Sequence, residues 1–445
     1  KFIYQRNTCK ILKIHTLIFI IFVEIFKMNS LIKSATIIDK NSEFHNKSVD
    51  ILIKNGIISD ISENIKNPKN FPEISFPNLH VSSGWFDYSV CTGEPGFEER
   101  DNLLNTLKVA SKSGFTSVGL QPNTFPVTEK STEIEYLKAI AKTSNIDIYP
   151  IGALTKKSVG NELAELLEMK NSGAVAFGDY KKSIVNPNIL KLALLYSKDF
   201  NLPIFSFPLN TDISNNGVMN ESKTSTICGL KGIPNISEEI QIIRDIRILE
   251  YTGGKLHIPY ISTENSLRLI KRAKDKGLNI SCSTCIHNLF FNDNQLSSFN
   301  TKFKVLPPLR TQNDVDKLIT GVKDGSIDMV TSDHNPLNIE LKNVEFENAE
   351  FGTIGLESFF GALNKIFPIK TTINILTKGK KIFGMEETTI KIGAQADMSL
   401  FNPIKSYVFD DKNILSVSKN SIFKGSSLKG KVYGTISNGK MTSSE

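Results

Sequence analysis

Residues 102–120 read NLLNTLKVASKSGFTSVGL, and this stretch contains the repeating unit from which the fold is predicted. Residues 102–113 have the periodicity of an amphipathic helix. Gly114 follows at the position where glycine commonly ends a helix, and residues 115–120 form a short apolar run typical of a buried strand. A helix that leads directly into a buried strand predicts an α/β fold with a parallel sheet.

The same alternation continues on both sides of this unit. Further helices are predicted at residues 161–171 and 237–251, each followed by a glycine, and at residues 356–367. Eight such units in about 300 residues predict a (β/α)₈ TIM barrel over residues 84–384, with reactive groups at the C-terminal ends of its strands. The eight predicted strands are residues 81–90, 115–120, 147–151, 174–179, 202–207, 255–261, 278–286 and 327–333.

Both ends of the chain contain short β-rich segments that cannot bury themselves alone. Near the start, Asn55-Gly56 is a predicted hairpin turn, and near the end the turn Asn438-Gly439 follows a predicted strand. We therefore predict a composite β-sandwich domain formed by residues 28–83 and 385–445, with the barrel inserted between them. Its predicted strands are residues 31–38, 49–54, 56–61, 398–401 and 431–436.

The length and composition agree with this two-domain organisation. At 445 residues the chain is about three times the size of a typical domain, so a single barrel of ordinary length does not account for it. With 40% hydrophobic and 22% charged residues, the composition excludes disordered and collagen-like proteins. The formal charge of +7 includes +4 from residues 1–27, and the remaining +3 is too weak to indicate a nucleic-acid partner.

Residues 1–27 precede the first methionine, Met28, and are predicted to be upstream translated sequence or a leader that is not part of the fold. Their apolar stretch, residues 17–23, is far shorter than the roughly 20 residues that span a bilayer, so no membrane partner is expected. Five irregularly spaced cysteines indicate a reducing compartment, and we expect a cytoplasmic protein. Cys282 and Cys285 form a C-x-x-C without a second pair, which favours buried thiols over a metal or redox site.

Motifs near the predicted strand ends are specific enough to indicate a family. They are Glu94-Pro95-Gly96 after the first strand, residues 121–124 (QPNT) after the second, residues 304–310 (KVLPPLR), residues 332–336 (SDHNP) at the eighth, and residues 393–397 (GAQAD) near the C-terminus. With these motifs, residues 28–445 resemble the dihydroorotases and related cyclic amidohydrolases. The resemblance implies a TIM barrel with a small β-domain, in which one or two zinc ions activate water to attack a cyclic amide.

The resemblance also implies metal ligands that this chain lacks. The family's first two ligands are an H-x-H pair on strand one, where residues two apart point to the same side. Ser89 and Cys91 stand at those positions, and Gly93 replaces the arginine that binds the substrate carboxylate. Phe207 and Tyr260 stand at the ligand positions of strands five and six. Because an aromatic ring fills the volume of an ion and offers it no ligand, we expect no metal cofactor.

An altered metal site is the open alternative. Asp333, Asp179 and Cys91, with Asp87 behind them, could hold zinc in such a site. The competing interpretation is that the carboxylates at 333 and 179 are hydrogen-bonded within the barrel and that Cys91 packs as an apolar group. Asp333 matches the family residue that binds metal and moves the proton, so without a metal it is a vestigial catalytic residue. Since Asp333 and His334 are adjacent on a predicted strand, they are expected to face opposite ways.

Three further residues have more than one interpretation. Asn123 resembles the family's substrate-orienting asparagine, but asparagine is also a common turn residue beside a proline such as Pro122. A metal-free mechanism would use Cys91 as nucleophile and would need a base such as His257, although nothing in their spacing selects that pair. His257 is the first histidine of the family's H-x-x-H pair, and the resemblance does not make it a ligand. His287 is expected to cap a segment or to hydrogen-bond locally.

Two functions follow from the resemblance. The first is a dihydroorotase-like protein of pyrimidine biosynthesis that is non-catalytic or strongly impaired and acts in assembly, as certain family members do beside aspartate transcarbamoylase. The alternative is an active dihydroorotase or related cyclic amidohydrolase with an altered metal site and zinc as its cofactor. Self-association into a homo-oligomer is compatible with both. The fold does not separate these functions, because function depends on the site.

Overall fold

The computed structural model describes residues 28–67 and 69–444, and the predicted leader at residues 1–27 lies outside the described residues. The described chain begins with five strands of the β-domain. They are β1 (Ser30–Ile37), β2 (Ser48–Lys54), β3 (Ile57–Ser62), β4 (Glu73–Ile74) and β5 (His80–Ser83).

Ten strands follow in the middle of the chain, and eight of them form the barrel. They are β6 (Trp85–Val90), β7 (Phe115–Leu120), β8 (Asp147–Gly152), β9 (Ala176–Phe177), β10 (Ile204–Phe205), β11 (Met219–Asn220), β12 (Gly232–Ile233), β13 (Leu256–Ile258), β14 (Ile280–Cys285) and β15 (Met329–Thr331). The parallel barrel order is β6-β7-β8-β9-β10-β13-β14-β15, while β11 and β12 pair with each other as a separate ribbon.

The barrel closes beyond the end of its last strand. The backbone N–H of His334 donates to the carbonyl of Ser89 at 3.0 Å, and the N–H of Cys91 donates to the carbonyl of His334 at 2.8 Å. These bonds join the eighth strand position to the first and complete the ring. The predicted (β/α)₈ TIM barrel is confirmed.

The described part of the chain contains twelve α-helices, most of which lie between barrel strands. The predicted helix at residues 161–171 begins later, at Leu166, because Thr155 and Leu163 form a short β-bridge before it. The helices are α1 (Leu103–Lys112), α2 (Ser131–Ala141), α3 (Leu166–Ser172), α4 (Pro187–Ser197), α5 (Thr211–Ser214), α6 (Lys223–Cys228), α7 (Asn235–Thr252), α8 (Glu264–Asp275), α9 (Ile286–Phe290), α10 (Gln312–Asp324), α11 (Leu356–Ile366) and α12 (Ile369–Lys378).

The C-terminal strands complete the sheet that the N-terminal strands begin. They are β16 (Met398–Val408), β17 (Ser427–Ser437) and β18 (Lys440–Ser443). The order is β18-β17-β16-β5-β1-β2-β3, with β4 paired to β1. Both ends of the chain therefore build the small β-domain, and hydrogen bonds join all eight strands into one sheet, whereas the predicted sandwich implied two. The division of the chain at residues 83/84 and 384/385 stays a prediction.

Gly84 is the point at which the chain passes from the β-domain to the barrel. The single strand predicted at residues 81–90 is in fact two strands, β5 and β6, which belong to different sheets. A Cβ atom at Gly84 would lie 1.9 Å from Oγ1 of Thr116 and 2.4 Å from Oδ1 of Asp397. Only glycine therefore allows the two sheets to approach each other at this position. Among the described residues, no helix has the length and apolar character needed to cross a membrane.

Candidate functional site

Three residues at the C-terminal mouth of the barrel have an uncommon backbone conformation. Tyr180 follows β9, Tyr260 follows β13 and Asp333 follows β15, with φ values of 55°, 57° and 52°. A positive φ costs a non-glycine residue about 1–3 kcal/mol, and such residues cluster at functional sites. The Tyr180 hydroxyl donates to Oδ1 of Asp333 at 3.4 Å, and the rings of Tyr180 and Tyr260 are 6.3 Å apart. The turns thus bring side chains from three strands to one place.

Ser89 and Tyr260, two of the positions where the resemblance implies a metal ligand, are hydrogen-bonded to each other. Their hydroxyl oxygens are 2.7 Å apart, and both side chains are buried. The ring of Phe207 lies 6.2 Å from that of Tyr260 and is also buried. The serine and tyrosine hydroxyls therefore satisfy each other in a space closed by an aromatic ring.

Lys181 forms the main electrostatic contact of the mouth, and no sequence motif predicted it. Its Nζ donates to Oδ2 of Asp333 at 2.7 Å, and the lysine side chain is only 9% exposed. The same Nζ lies 5.4 Å from the ring centre of Tyr180 and 5.6 Å from that of Tyr260, as in cation–π contacts. The signal that could have revealed Lys181 is its position just after the fourth strand, two residues beyond Asp179.

Asp333 is fully buried, and its charge state reflects two opposing effects. Burial raises the pKa of its carboxyl group above the ordinary value, and the neighbouring Lys181 amino group acts in the opposite direction. Because the lysine supplies a positive charge at hydrogen-bonding distance, the ionised carboxylate has a partner without any metal ion. This buried ion pair occupies the centre of the mouth.

The residues whose metal-binding atoms converge differ from the predicted set. The ligand atoms of Cys285, His287 and Asp333 lie within 4.8 Å of one another, and all three side chains are buried. The predicted set of Asp333, Asp179 and Cys91 shares only Asp333 with this cluster. Cys285 ends β14 and His287 lies in the first turn of the short helix α9, so the end of the seventh strand and the helix after it supply both.

His287 does not make the local hydrogen bonds predicted for it. Neither of its ring nitrogens has a hydrogen-bond partner within the described part of the chain, although the side chain is fully buried. Nε2 lies 4.0 Å from Oδ2 of Asp333. Burial lowers the pKa of the imidazole well below its usual value, and the charge of Lys181 adds to this effect. The ring is therefore neutral and has two unused polar atoms.

Asp179 and Asp87 act as structural carboxylates. Asp179 accepts hydrogen bonds from the backbone N–H groups of Leu154 and Thr155 at 3.0 Å each, and from the Thr155 hydroxyl at 2.5 Å. Asp87 accepts from the Thr331 hydroxyl and, at 3.1 Å, from the Ser332 N–H, which ties the first strand to the eighth. Burial raises the pKa of both carboxyl groups. Neither carboxylate belongs to the converging ligand set.

Cys91 and His257 do not form the nucleophile–base pair that a metal-free mechanism would need. The two ring nitrogens of His257 contact the hydroxyls of Ser281 at 2.8 Å and Ser283 at 3.1 Å. Burial raises the pKa of the Cys91 thiol to about 12, so it is not an activated nucleophile. The side chain of Asn123 contacts this thiol, while its Oδ1 is buried without a partner among the described residues. Asn123 thus faces the mouth rather than only serving its turn.

Gly93 leaves no space for the arginine that the resemblance implies. A Cβ atom there would lie 2.0 Å from the carbonyl oxygen of Phe97 and 2.3 Å from that of Asp101. Both contacts are with backbone, which cannot move aside as a flexible side chain can. An arginine at this position would require the loop to be rebuilt, so the chain has lost both the carboxylate-binding group and the space for it.

His334 and Asp333 are separated, but not for the reason predicted from the sequence. Strand β15 ends at Thr331, and the left-handed backbone at Asp333 breaks the strand alternation. Nδ1 of His334 accepts from the backbone N–H groups of Gly355 at 3.3 Å and Leu356 at 3.4 Å. His334 therefore caps the start of α11, and its role is structural.

His257 predicts a pH dependence of stability. Burial lowers the pKa of its imidazole to about 3, whereas in the unfolded chain it titrates near 6.5. As pH falls from about 6.5 towards 3, only the unfolded state takes up this proton, so stability is lost over that range. Between pH 7 and pH 5 we expect His257 to account for a loss of about 2 kcal/mol in the free energy of unfolding.

Urea denaturation at the two pH values checks this expectation in the wild type, in His257→Gln and in His80→Gln. His80 begins β5, is only half-buried and is the matched control. His257→Gln should lose less stability between pH 7 and pH 5 than the wild type does. An equal loss in His257→Gln and in the wild type would contradict the assignment.

Comparisons with known proteins identify the family. A family profile described as dihydro-orotase-like matches residues 81–266. A dihydroorotase of Caldicellulosiruptor saccharolyticus is 39% identical over 422 aligned positions, and the alignment covers 92% of this chain and 97% of that protein. A dihydroorotase of Acetivibrio thermocellus is 37% identical over 419 residues, with 92% and 98% covered.

Solved structures agree in fold. The L-hydantoinase (dihydropyrimidinase) from Arthrobacter aurescens superposes with a TM-score of 0.81 at 20% identity, covering 94% of this chain and 96% of that one. The dihydropyrimidinase from Brevibacillus agri gives 0.77 at 20% identity, with 93% and 95% covered. On the full-length sequence similarity to the curated relatives, this chain belongs to the dihydroorotase family.

Proposed function

We propose that this protein serves pyrimidine biosynthesis as a dihydroorotase-like member whose own barrel does not hydrolyse dihydroorotate by zinc chemistry, and that it acts in assembly. The observation that carries the proposal is the buried ion pair between Lys181 and Asp333, at 2.7 Å. The carboxylate that the family uses to bind metal and move a proton is occupied by an amino group of the same chain.

The rest of the mouth does not fit the family's histidine-built zinc site. Ser89 and Tyr260 are hydrogen-bonded to each other, and Phe207 closes the space beside them. The closed backbone around Gly93 excludes the substrate-binding arginine. The four positions together provide no imidazole to bind a zinc ion and no guanidinium to bind the substrate carboxylate. The family's zinc mechanism therefore has no ligands at these positions.

A second candidate is an active cyclic amidohydrolase with an altered site. The names of the curated relatives favour it, since these proteins are dihydroorotases and the alignment covers almost their whole length. The converging Cys285, His287 and Asp333 offer sulfur, nitrogen and oxygen to one ion, which when bound would activate water for attack on the ring amide. In that case Lys181 would have to leave Asp333. The expectation that no cofactor is used therefore stays a prediction.

The decisive experiment is a dihydroorotate hydrolysis assay. We expect the purified protein, supplemented with Zn²⁺, to show no turnover above a chelator-treated sample. The dihydroorotase of Caldicellulosiruptor saccharolyticus, assayed in parallel, serves as the positive control for the zinc loading. Turnover that rises with zinc and disappears in Asp333→Asn would support the second candidate and contradict the first.

The assembly role has its own test. Helices α4 and α7 pack side by side, and each exposes apolar side chains that a partner surface could cover, including Leu192, Leu195, Ile240 and Ile243. We propose aspartate transcarbamoylase from the same organism as the partner. Size-exclusion chromatography with light scattering, on each protein alone and on the mixture, should show a joint complex, and any homo-oligomer appears in the unmixed sample. Separate elution of the two proteins from the mixture would contradict the assembly role.

A further inference from the structure

We propose that Cys285, His287 and Asp333 form a site for one divalent transition-metal ion, and that the positively charged side chain of Lys181 blocks this site. This inference rests on the proposed function and deepens it, because it explains what replaces the metal in the barrel mouth. The proposed site uses the seventh and eighth strand ends, together with a lysine that follows the fourth.

The geometry of the three ligand atoms suits a single small ion. They lie within 4.8 Å of one another, and Nε2 of His287 is 4.0 Å from Oδ2 of Asp333. Bonds of about 2.0–2.3 Å to a common ion require ligand atoms roughly 3–4 Å apart. Side-chain adjustments of less than about 1 Å therefore bring the three atoms to bonding distance. A water molecule would complete a four-coordinate site.

His287 is the independent sign that the cluster is suited to a ligand. Its side chain is fully buried, and both ring nitrogens lack a hydrogen-bond partner within the described residues. An unpaired buried polar group is destabilising, so such a group rarely persists without a use. Coordination of either nitrogen to an ion would satisfy it. The neutral imidazole lies beside a thiol and a carboxylate, and these three groups are the ones that bind zinc in proteins.

Lys181 and an ion compete for the same carboxylate. The amino group holds Oδ2 of Asp333 at 2.7 Å, and its positive charge also acts on Cys285 and His287. A divalent ion bound to Asp333 would lie a few ångströms from that ammonium group in a buried site, where like charges repel strongly. Binding of the ion therefore requires the lysine to move away or to be removed.

The ligand set selects the class of ion. One thiol, one imidazole and one carboxylate favour zinc or cobalt, whereas magnesium and calcium prefer ligand sets made only of oxygen. Co²⁺ is the useful probe because a thiolate–cobalt bond gives a characteristic near-ultraviolet absorption that an oxygen-only site does not. The readout is thus independent of any enzymatic activity.

The test is a titration of wild type, Lys181→Met and Lys181→Gln with Co²⁺ alone. Both substitutions remove the charge and keep a side chain of similar length. We expect each variant to bind one equivalent of Co²⁺ at least about 100-fold more tightly than the wild type, since the ion no longer has to displace a buried partner. The double variant Lys181→Met/Cys285→Ser should lose the thiolate absorption, which identifies the ligand.

Each outcome of this test decides the inference. Equal Co²⁺ affinity in the wild type and the variants would contradict it, and so would a lack of binding in folded variants. If Lys181→Met does not fold without metal, Co²⁺ must restore its circular dichroism, and an unfolded protein at saturating Co²⁺ would overturn the inference. Hydrolysis of dihydroorotate by the zinc-supplemented wild type tests the proposed function separately, so the two failures are distinguishable.

Discussion

Replacing Arg310 with methionine is expected to lower the free energy of unfolding by about 3–5 kcal/mol. Arg310 ends the KVLPPLR motif and is 2% exposed. Its Nη1 donates to Oδ1 of Asn220 at 2.8 Å and to the carbonyl of Ile233 at 2.7 Å, and its Nε donates to the hydroxyl of Ser262 at 3.0 Å. The guanidinium thus joins the β11–β12 ribbon to the end of the sixth barrel strand.

The large effect arises because Glu238 would remain buried without its cation. Its Oε2 lies 3.6 Å from Nη2 of Arg310, and its Oε1 accepts from the backbone N–H of Ser262 at 2.8 Å. Methionine removes the charge and leaves several acceptors unpaired, whereas lysine retains the charge but lacks the planar fork of donors. We therefore expect Arg310→Lys to lie between the wild type and Arg310→Met.

Urea denaturation followed by the fluorescence of the chain's one tryptophan measures this loss. Arg268→Met is the matched control, since Arg268 is an exposed arginine and should change stability by no more than about 0.5 kcal/mol. The double variant Glu238→Gln/Arg310→Met should recover part of the loss because it removes the unpaired charge. A single variant as stable as the control would show that the buried arginine is not structurally important.

The barrel could be predicted from the sequence because its determinants are local. Helical periodicity, a glycine stop and a buried apolar run occur together at residues 102–120, and the structure has α1 and β7 in that stretch. The break at Gly84 was missed because an isolated glycine inside a strand pattern is equally typical of a bulge or a close backbone approach. What divides them is contact with Thr116 and Asp397, which are distant in the sequence.

In the candidate site, too, contacts between residues distant in the sequence could not be predicted. The missing imidazoles at Ser89, Phe207 and Tyr260 could be recognised by resemblance to the family, position by position. The ion pair between Lys181 and Asp333 joins residues 152 apart, and no local pattern indicates it. Asp179 was included in the predicted metal set for its place at a strand end, whereas in the structure its carboxylate accepts hydrogen bonds from the backbone of Leu154 and Thr155.

The substitutions in the mouth form a physically consistent set. Without a metal ion or another cation, Asp333 would be buried with no positive partner, which is strongly unfavourable. Lys181 supplies that partner, and the Ser89 and Tyr260 hydroxyls satisfy each other. The charge of Asp333 and the hydroxyls of Ser89 and Tyr260 thus have partners within the chain.

Replacing Trp85 with alanine is expected to cost about 3–5 kcal/mol and to destabilise the barrel and the β-domain together. Trp85 begins β6 directly after the chain leaves the β-domain, and it is fully buried. Its ring lies 6.0 Å from Phe115 of the barrel, 4.8 Å from Phe360 of α11 and 5.5 Å from Phe401 of the composite sheet. The cavity left by alanine would therefore open between the two parts of the molecule.

Circular dichroism during urea denaturation is the appropriate measurement, since the variant has no tryptophan to report by fluorescence. Tyr251→Ala, at an 81% exposed aromatic residue, is the control and should stay within about 0.5 kcal/mol of the wild type. Native-state hydrogen exchange should show β7 and β16 losing protection by similar amounts in Trp85→Ala. If only one of these strands lost protection, the barrel and the composite sheet would be separate folding units, because a shared core must transmit the loss of its central side chain to both.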